Sequence, residues 1–183
     1  GTVTVTHAVN VQGSTAEITA ALVTAGSKVE VSDAVATIND ADATGLTATA
    51  LSAIGGATTG TVTVTHAVAL TGSDSEVTAA LVTTGTLVEV SDATVTITGN
   101  PSISDLNAIA AKTTGVVTTT LAAASLADLA ALTTDATDVI TVTVSDADAA
   151  ALAATDLSAL GGKTAGTVTV THAVNVQGST AEI

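Results

Sequence analysis

The chain ends as it begins. Residues 1–18 read GTVTVTHAVNVQGSTAEI, and residues 166–183 repeat that string letter for letter. A sequence that restarts in this way is periodic, with one full period at 1–165 and the next opening at Gly166. Periodicity at this level restricts the fold to architectures that stack one unit on the next. The chain starts at Gly1 and reads as one period of a longer array plus an overlap.

A shorter repeat lies inside the period. A Val-x-Val core recurs from Val3, Val29, Val62, Val88, Val142 and Val168, with a weaker copy at Val117. The steps between cores are similar but unequal, the longest running from Val29 to Val62, and together they fill the period from Val3 to Val168. The reading is one continuous segment over 1–183, with six coils at 2–27, 28–60, 61–86, 87–115, 116–140 and 141–166. Units starting at Thr2 and Thr61 match at 18 of 26 positions, and 40–68 closely resembles 146–174. Duplication therefore operates at two levels.

Each unit opens with alternating β-branched residues, as in TVTVTHAV or LVEVSDAT, which predict a short strand. The rest of the unit carries helix signals. Ser14-Thr-Ala-Glu17 is a capping box, followed by Ile18, Ala21, Leu22 and Ala25 on one helical face. Ser73 to Glu76, with Val77, Ala80 and Leu81, repeats the arrangement. Pro101 precedes Ile103, Leu106 and Ile109, and Ser125 with Asp128 precedes Leu129 and Leu132. Units two and six end their helices in Leu-Ser-Ala-Ile/Leu-Gly-Gly. Glu17, Glu76, Asp105 and Asp128 fall in first turns, and Lys28, Lys112 and Lys163 near last turns, as the helix dipole favours. The predicted fold class is α/β: a solenoid of ~27-residue strand–helix coils with a parallel sheet. The abundance of Thr and Val leaves an all-β solenoid as the alternative.

Composition removes several functions. Ala, Thr and Val number 38, 39 and 25, over half of the 183 residues. Cys, Met, Phe, Trp and Tyr are absent, so thiol chemistry, disulfides and aromatic stacking platforms are excluded. Three lysines against 17 acids give a net charge of −14, which argues against binding nucleic-acid phosphates. Apolar runs such as Leu121–Ala124 are far too short for membrane insertion. No nucleophile elbow occurs, and the Gly-Gly pairs at 55–56 and 161–162 read as helix stops, so an enzyme is not expected.

Aligned on Val-x-Val, the units produce columns. One holds His7, Asp33, His66, Asp92, Leu121, Asp146 and His172. The column after it is always alanine: Ala8, Ala34, Ala67, Ala93, Ala122, Ala147 and Ala173. A column so uniformly small marks a tight bend. The column before is always a hydroxyl: Thr6, Ser32, Thr65, Ser91, Thr120, Ser145 and Thr171. The His/Asp column predicts a ladder of charge-assisted hydrogen bonds that closes the turn. His7, His66, Asp33, Asp92 and Asp146 are also candidate metal ligands. Asp40-Ala-Asp42 and Asp146-Ala-Asp148 are candidates for Ca²⁺, although helix capping explains these acids without an ion and no cofactor is required. The Thr-x-Thr runs Thr2/Thr4/Thr6, Thr61/Thr63/Thr65 and Thr118/Thr120 predict a hydroxyl grid, interrupted by Glu30 and Glu89.

Tandem repeats rich in Thr, Ala and Val and free of aromatics and cysteine resemble those of giant bacterial cell-surface proteins, especially cyanobacterial ones. Leucine-rich repeats share only the architecture, since their Leu-x-x-Leu-x-Leu-x-x-Asn pattern is absent. The resemblance implies an extracellular or cell-surface structural protein, a segment of a filament, fibre or surface layer. Its implied partner is itself, by end-to-end continuation and lateral association. The alternatives are a Ca²⁺-dependent adhesin stalk and an ice-binding solenoid.

Overall fold

Alternating β-branched residues form strands because one face of each strand meets an apolar layer and the other meets water. The computed structural model describes residues 3–26 and 29–183. Its strands are β1 Val3–Thr4, β2 Asn10–Gly13, β3 Val29–Glu30, β4 Val35–Ile38, β5 Gly45–Thr47, β6 Val62–Val64 and β7 Ala69–Ser73. They continue as β8 Thr94–Thr98, β9 Val117–Thr120, β10 Val139–Val144, β11 Ala151–Ala153, β12 Val168–Val170 and β13 Asn175–Gln177. The helices are α1 Thr15–Ile18, α2 Ala48–Gly56, α3 Asp74–Leu81, α4 Ile103–Ala110, α5 Leu126–Leu129 and α6 Ala154–Gly161. The fold class is α/β, and the helices exclude the all-β alternative.

Every strand pairing among the described residues is parallel. A parallel pair needs a crossover of a dozen residues or more, and the helices supply most of these crossovers. The sequence step between paired residues is nearly constant, shortest at Ala124↔Val144 and longest at pairs such as Val3↔Val29, Ala36↔Val62 and Val142↔Val168. Each hydrogen-bonded stretch, a rung, therefore pairs with another 20 to 26 residues away in sequence, as in Asn10↔Val35 and Ala69↔Thr94. The main sheet has six strands in the order β12-β10-β9-β8-β7-β5. A three-stranded sheet runs β2-β4-β6, and β1-β3 and β11-β13 form two-stranded ladders.

The core is wholly aliphatic. Inward strand residues such as Ile38, Val64, Leu70, Val95 and Ile140 meet helix residues such as Leu51, Val77, Leu106 and Ile109, all at most 2% exposed. Each such Leu, Ile or Val contributes ~1.5–3 kcal/mol by leaving water. The capping boxes form as the sequence predicts. The Ser14 and Ser73 side chains accept from the Glu17 and Glu76 backbone N–H, and both glutamates bond back to the cap backbone. Ser102 and Ser125 cap α4 and α5. Lys163 donates its ammonium to the carbonyl of Leu132, and Lys28 lies outside the described residues.

Three features depart from expectation. First, α1 and α5 have four residues each, and α1 continues as a π-turn over Thr19–Val23 instead of reaching Gly26 as a regular helix. Second, several units carry more than one strand: β2, β4 with β5, β7 and β11 follow the Val-x-Val strand of their units, whereas in unit 87–115 the Val-x-Val stretch makes only an isolated bridge, Thr63↔Glu89, and β8 is the strand. Third, the Val-x-Val column does not stay in one file. Val3↔Val29 and Val142↔Val168 pair as aligned, but Val62 pairs with Ala36 and Val117 with Val95. Unit 28–60 is longer than the unit before it, and this extra length carries Val62 past Val29 to the second strand.

A recurring Thr-x-Gly loop seats one rung on the next. Thr58, Thr113 and Thr164 donate Oγ1 to the carbonyls of Ala34, Ala93 and Ile140 at 2.6, 2.6 and 2.8 Å. Each hydroxyl also accepts the N–H of the glycine two positions on, at 3.0, 3.0 and 2.8 Å. The glycines are required because a Cβ on Gly60, Gly115 or Gly166 would overlap that same carbonyl. Gly115→Ala is therefore expected to cost about 2 kcal/mol or more, since backbone cannot move aside cheaply. Gly85→Ala, whose Cβ would meet nothing within 4 Å, should leave stability unchanged or slightly raised. Thermal unfolding of the two variants checks this; equal melting temperatures would mean that the loop is not seated on the carbonyl.

Candidate functional site

Four of the acids that were candidate ligands, Asp40, Asp42, Asp146 and Asp148, are engaged by backbone N–H groups, while Asp92 accepts from the Ser91 hydroxyl. In Asp40-Ala-Asp42, the Asp40 Oδ2 accepts from the N–H and hydroxyl of Thr15, at 2.7 and 2.5 Å, one rung back. Asp42 Oδ1 accepts from the N–H of Ala67 at 3.1 Å, one rung ahead. Asp146-Ala-Asp148 repeats this. Asp146 Oδ2 accepts from Leu126 N–H at 2.8 Å, and Asp148 Oδ1 from Ala173 N–H at 3.2 Å. Each Asp-Ala-Asp triplet is thus a clamp that holds three successive rungs. The alanine after each triplet closes the joint. Ala43 and Ala149 have φ of 59° and 61° and donate N–H to Ala67 and Ala173 carbonyls at 2.8 and 2.7 Å. A left-handed alanine costs roughly 1–2 kcal/mol, which the paired bonds offset. Among the described residues, no group of three or more His, Asp or Glu side chains is placed to hold a metal ion.

The His/Asp column is only partly assembled. Carried past the pairs Val3↔Val29, Thr63↔Glu89 and Val144↔Val170, the strand register alone aligns His7 with Asp33, His66 with Asp92 and His172 with Asp146, but by Ala173 the chain has shifted to pair with Asp148 and Ala149. On its other side His66 follows Ile38↔Val64, which leads to Asp40 and not to Asp33. Leu121 is buried in the core. The histidines turn to their own chain: Nδ1 of His7, His66 and His172 lies 3.1, 3.2 and 3.4 Å from Oγ1 of Thr6, Thr65 and Thr171. Among the described residues no hydrogen bond joins a histidine to an aspartate. The neighbouring hydroxyl is one position away, and Asp42 and Asp148 are taken up by backbone N–H groups.

The hydroxyl column has mixed duties. Thr65 Oγ1 also donates to the Ile38 carbonyl at 3.1 Å, and Ser91 Oγ donates to Asp92 at 3.2 Å. The backbone carbonyls of Ser32 and Ser91 receive Thr59 and Thr114. Thr120 lies in β9, opposite Thr141, and Ser145 bonds through its backbone to Ala124. The alanine column also divides. Ala34 and Ala93 are fully buried under the Thr-x-Gly loops, and there nothing larger fits. Ala67 is half-buried, while Ala8, Ala122, Ala147 and Ala173 are exposed, so the buried bend is confined to two of the three Ser-Asp-Ala rungs, at Ala34 and Ala93.

The threonine grid is more complete than the sequence alignment suggests. Across the six-stranded sheet the register sets Thr47, Thr71, Thr96 and Thr118 in one row. Ser73 stands opposite Thr98, Thr120 opposite Thr141, and Thr143 opposite Thr169. In β8 the pattern is fully alternate: Thr94, Thr96 and Thr98 are exposed, Val95 and Ile97 buried. Glu30 and Glu89 do not interrupt this face, because they pair with Thr4 and Thr63 in other ladders. None of the six strands contains a charged residue. On a chain of net charge −14 this is a large neutral surface.

The glutamates of the capping boxes complete the electrostatics. The Ser73 N–H, the Thr49 hydroxyl of the neighbouring helix and the Ser73 hydroxyl together hold the Glu76 carboxyl down to about 2. Glu17 and Glu182 are lowered in the same way, mainly by Ser14 and Ser179. At the position equivalent to Thr15, unit three carries Asp74, whose pKa burial raises, with Asp105 adding repulsion. No protein-family model, curated protein or solved structure matches the chain.

A pH dependence follows. A carboxylate with a depressed folded pKa adds stability that is present above its unfolded value and lost as pH falls through the folded one. Unfolding temperature should therefore fall as pH drops from about 4.5 toward 2. Glu76→Gln should flatten that slope and leave the neutral-pH fold intact. An unchanged slope in the variant, read by circular dichroism, would remove Glu76 as its source.

Proposed function

We propose that the chain is a structural repeat protein of the cell exterior, a segment of a long α/β solenoid that continues end to end into a filament, fibre or surface layer. The observation that carries this reading is the uniform parallel pairing of stretches one coil apart, from Val3↔Val29 through Ala124↔Val144 to Val142↔Val168. The rung that opens the period recurs at 166–183, so the same pairing repeats from one period to the next. The Asp-Ala-Asp triplets support joints between rungs better than ion sites, because their carboxylates already hold backbone N–H groups. The location outside the cell rests on the repeat style and on the sulfur-free composition. Sedimentation velocity and electron microscopy of the 183-residue chain test the reading. Unbranched rods that lengthen with protein concentration are expected. A monomer at every concentration would overturn it, and rods that stiffen only with Ca²⁺ would turn it toward an adhesin stalk.

A second reading has one specific observation in its favour, the uncharged threonine face. Hydroxyls and methyls repeat there about every 6.6 Å along a strand and about every 4.8 Å between strands. A rigid neutral grid of this kind suits ordered water, and the second reading is an ice-binding solenoid. The chain should then inhibit ice recrystallisation, and Thr96→Lys, at an exposed position in β8, should abolish the effect without unfolding the protein. Wild-type chain that leaves ice growth unaltered would dismiss this reading, and the face would then serve lateral packing of filaments.

A further inference from the structure

Side-chain hydrogen bonds tie α1, α2, α4 and α5 to the coil that follows them. The register that pairs Gly13 with Ile38 brings Thr15, the first residue of α1, level with Asp40, whose carboxylate accepts its N–H at 2.7 Å. Ala124↔Val144 likewise brings Leu126, the first residue of α5, level with Asp146, which accepts its N–H at 2.8 Å. Thr49 of α2 donates its hydroxyl to Glu76 of α3 at 2.7 Å. Asn107 of α4 donates to the carbonyl of Ala131 and accepts the N–H of Thr133, both at 2.9 Å. Among the described residues, no side-chain hydrogen bond joins α3 to α4. There Ser73↔Thr98 brings Asp74, the first residue of α3, level with Gly99, which has a φ of 90° and no side chain to clamp with. The acid stands on the helix instead of on the next coil. Among the described residues, Asp74 Oδ1 and, one turn on, Thr78 Oγ1 are the buried side-chain polar atoms without a hydrogen-bond partner.

The charges around Asp74 have one sign. α4 faces it with Asp105, and its own helix adds Glu76. The other elements that pack on α3, namely α2, β7, β8 and the turn Thr84–Thr86, carry no charged residue, and neither does the 99–102 loop. Burial pushes the Asp74 carboxyl above the ordinary aspartate range, and Asp105 pushes it the same way. We infer that the joint between α3 and α4 is the compliant joint of this segment, closed while the Asp74 carboxyl is protonated and loosened once it ionises. A buried polar atom without a partner weakens the packing around it, and more so when the group is charged. A raised folded pKa adds stability that is present below the unfolded value and lost as pH rises through the folded one. The dependence is therefore opposite in sign to that of Glu76 on the same helix. A bend or a pull on the stack opens this joint before the clamped ones.

Asp74→Asn in the full chain keeps the shape and removes the charge. The helix dipole alone predicts a loss of stability, because an acid in the first turn is favourable. A compliant joint predicts a gain. At pH 7 the variant should melt roughly 2–4 °C above the wild type, the shift expected of one such group in a chain of this length. At pH 3, below the ordinary aspartate value, the gain should vanish. Asp156→Asn, at an exposed first-turn acid of α6, controls for net charge and should give no such gain. Hydrogen exchange at pH 7 places the effect, with amides slowed in Val77–Leu81 and Leu106–Ala110 and unchanged in β10. Asp74→Thr, which brings in the residue type of Thr15, repeats the test if the amide impairs folding, with the same expected gain. A lower melting temperature for both variants at pH 7, an equal difference at both pH values, an equal gain from Asp156→Asn, or slowing spread over the whole chain would each overturn the inference.

Discussion

Backbone hydrogen bonding between parallel rungs a nearly constant step apart in sequence is the interaction on which everything else depends. The strands are two to six residues long, from β1 to β10, and none is stable alone. Stability comes from the neighbour on each side. That dependence explains the composition. Neighbouring rungs approach closely only where side chains are small or absent, as at Ala34 under Thr58 and Gly60, or Ala93 under Thr113 and Gly115. Aromatic side chains have no place in so thin a core, and Ile, Leu and Val fill it.

The acids serve the same end. A chain with 17 carboxylates and three lysines has little scope for ion pairs. It directs carboxylates at backbone N–H groups, which also need partners. Asp138, 5% exposed, accepts from Val117 N–H at 2.8 Å and Asp135 N–H at 3.0 Å. The Asp-Ala-Asp triplets do this across two interfaces at once. Negative charge is therefore concentrated at turns and helix starts, and the broad sheet face is left neutral. The threonine face along the side is thereby kept apart from the acids.

The segment that occurs twice illustrates how context decides burial. Gly13 and Ile18 are buried where a following rung covers them, and Gly178 and Ile183 are exposed where none does within the chain. Nothing in the local sequence differs, so the difference belongs to the stack.

Whatever depends on contacts within a single helical turn was legible in the sequence. The capping boxes at Ser14 and Ser73, the cap at Ser125, and the buried faces of Val77, Ala80 and Leu81 or Leu106 and Ile109 all formed as read, while the cap at Ser102, just after Pro101, was not singled out. The period, the α/β class and the absence of thiol or aromatic chemistry were legible too, because they are counts and spacings. What depends on register between rungs was not. The extra length of unit 28–60 moved Val62 from Val29 to Ala36, and the His/Asp and alanine columns divided with it. The strands β2, β4, β7 and β8 were hidden in what read as a turn, although Thr94-Val-Thr-Ile-Thr98 alternates plainly. The Asp-Ala-Asp clamps and the uncharged threonine face were decided by tertiary structure alone. Their partners lie a full coil away in sequence, and only the stacked rungs determine which backbone N–H or hydroxyl each side chain meets.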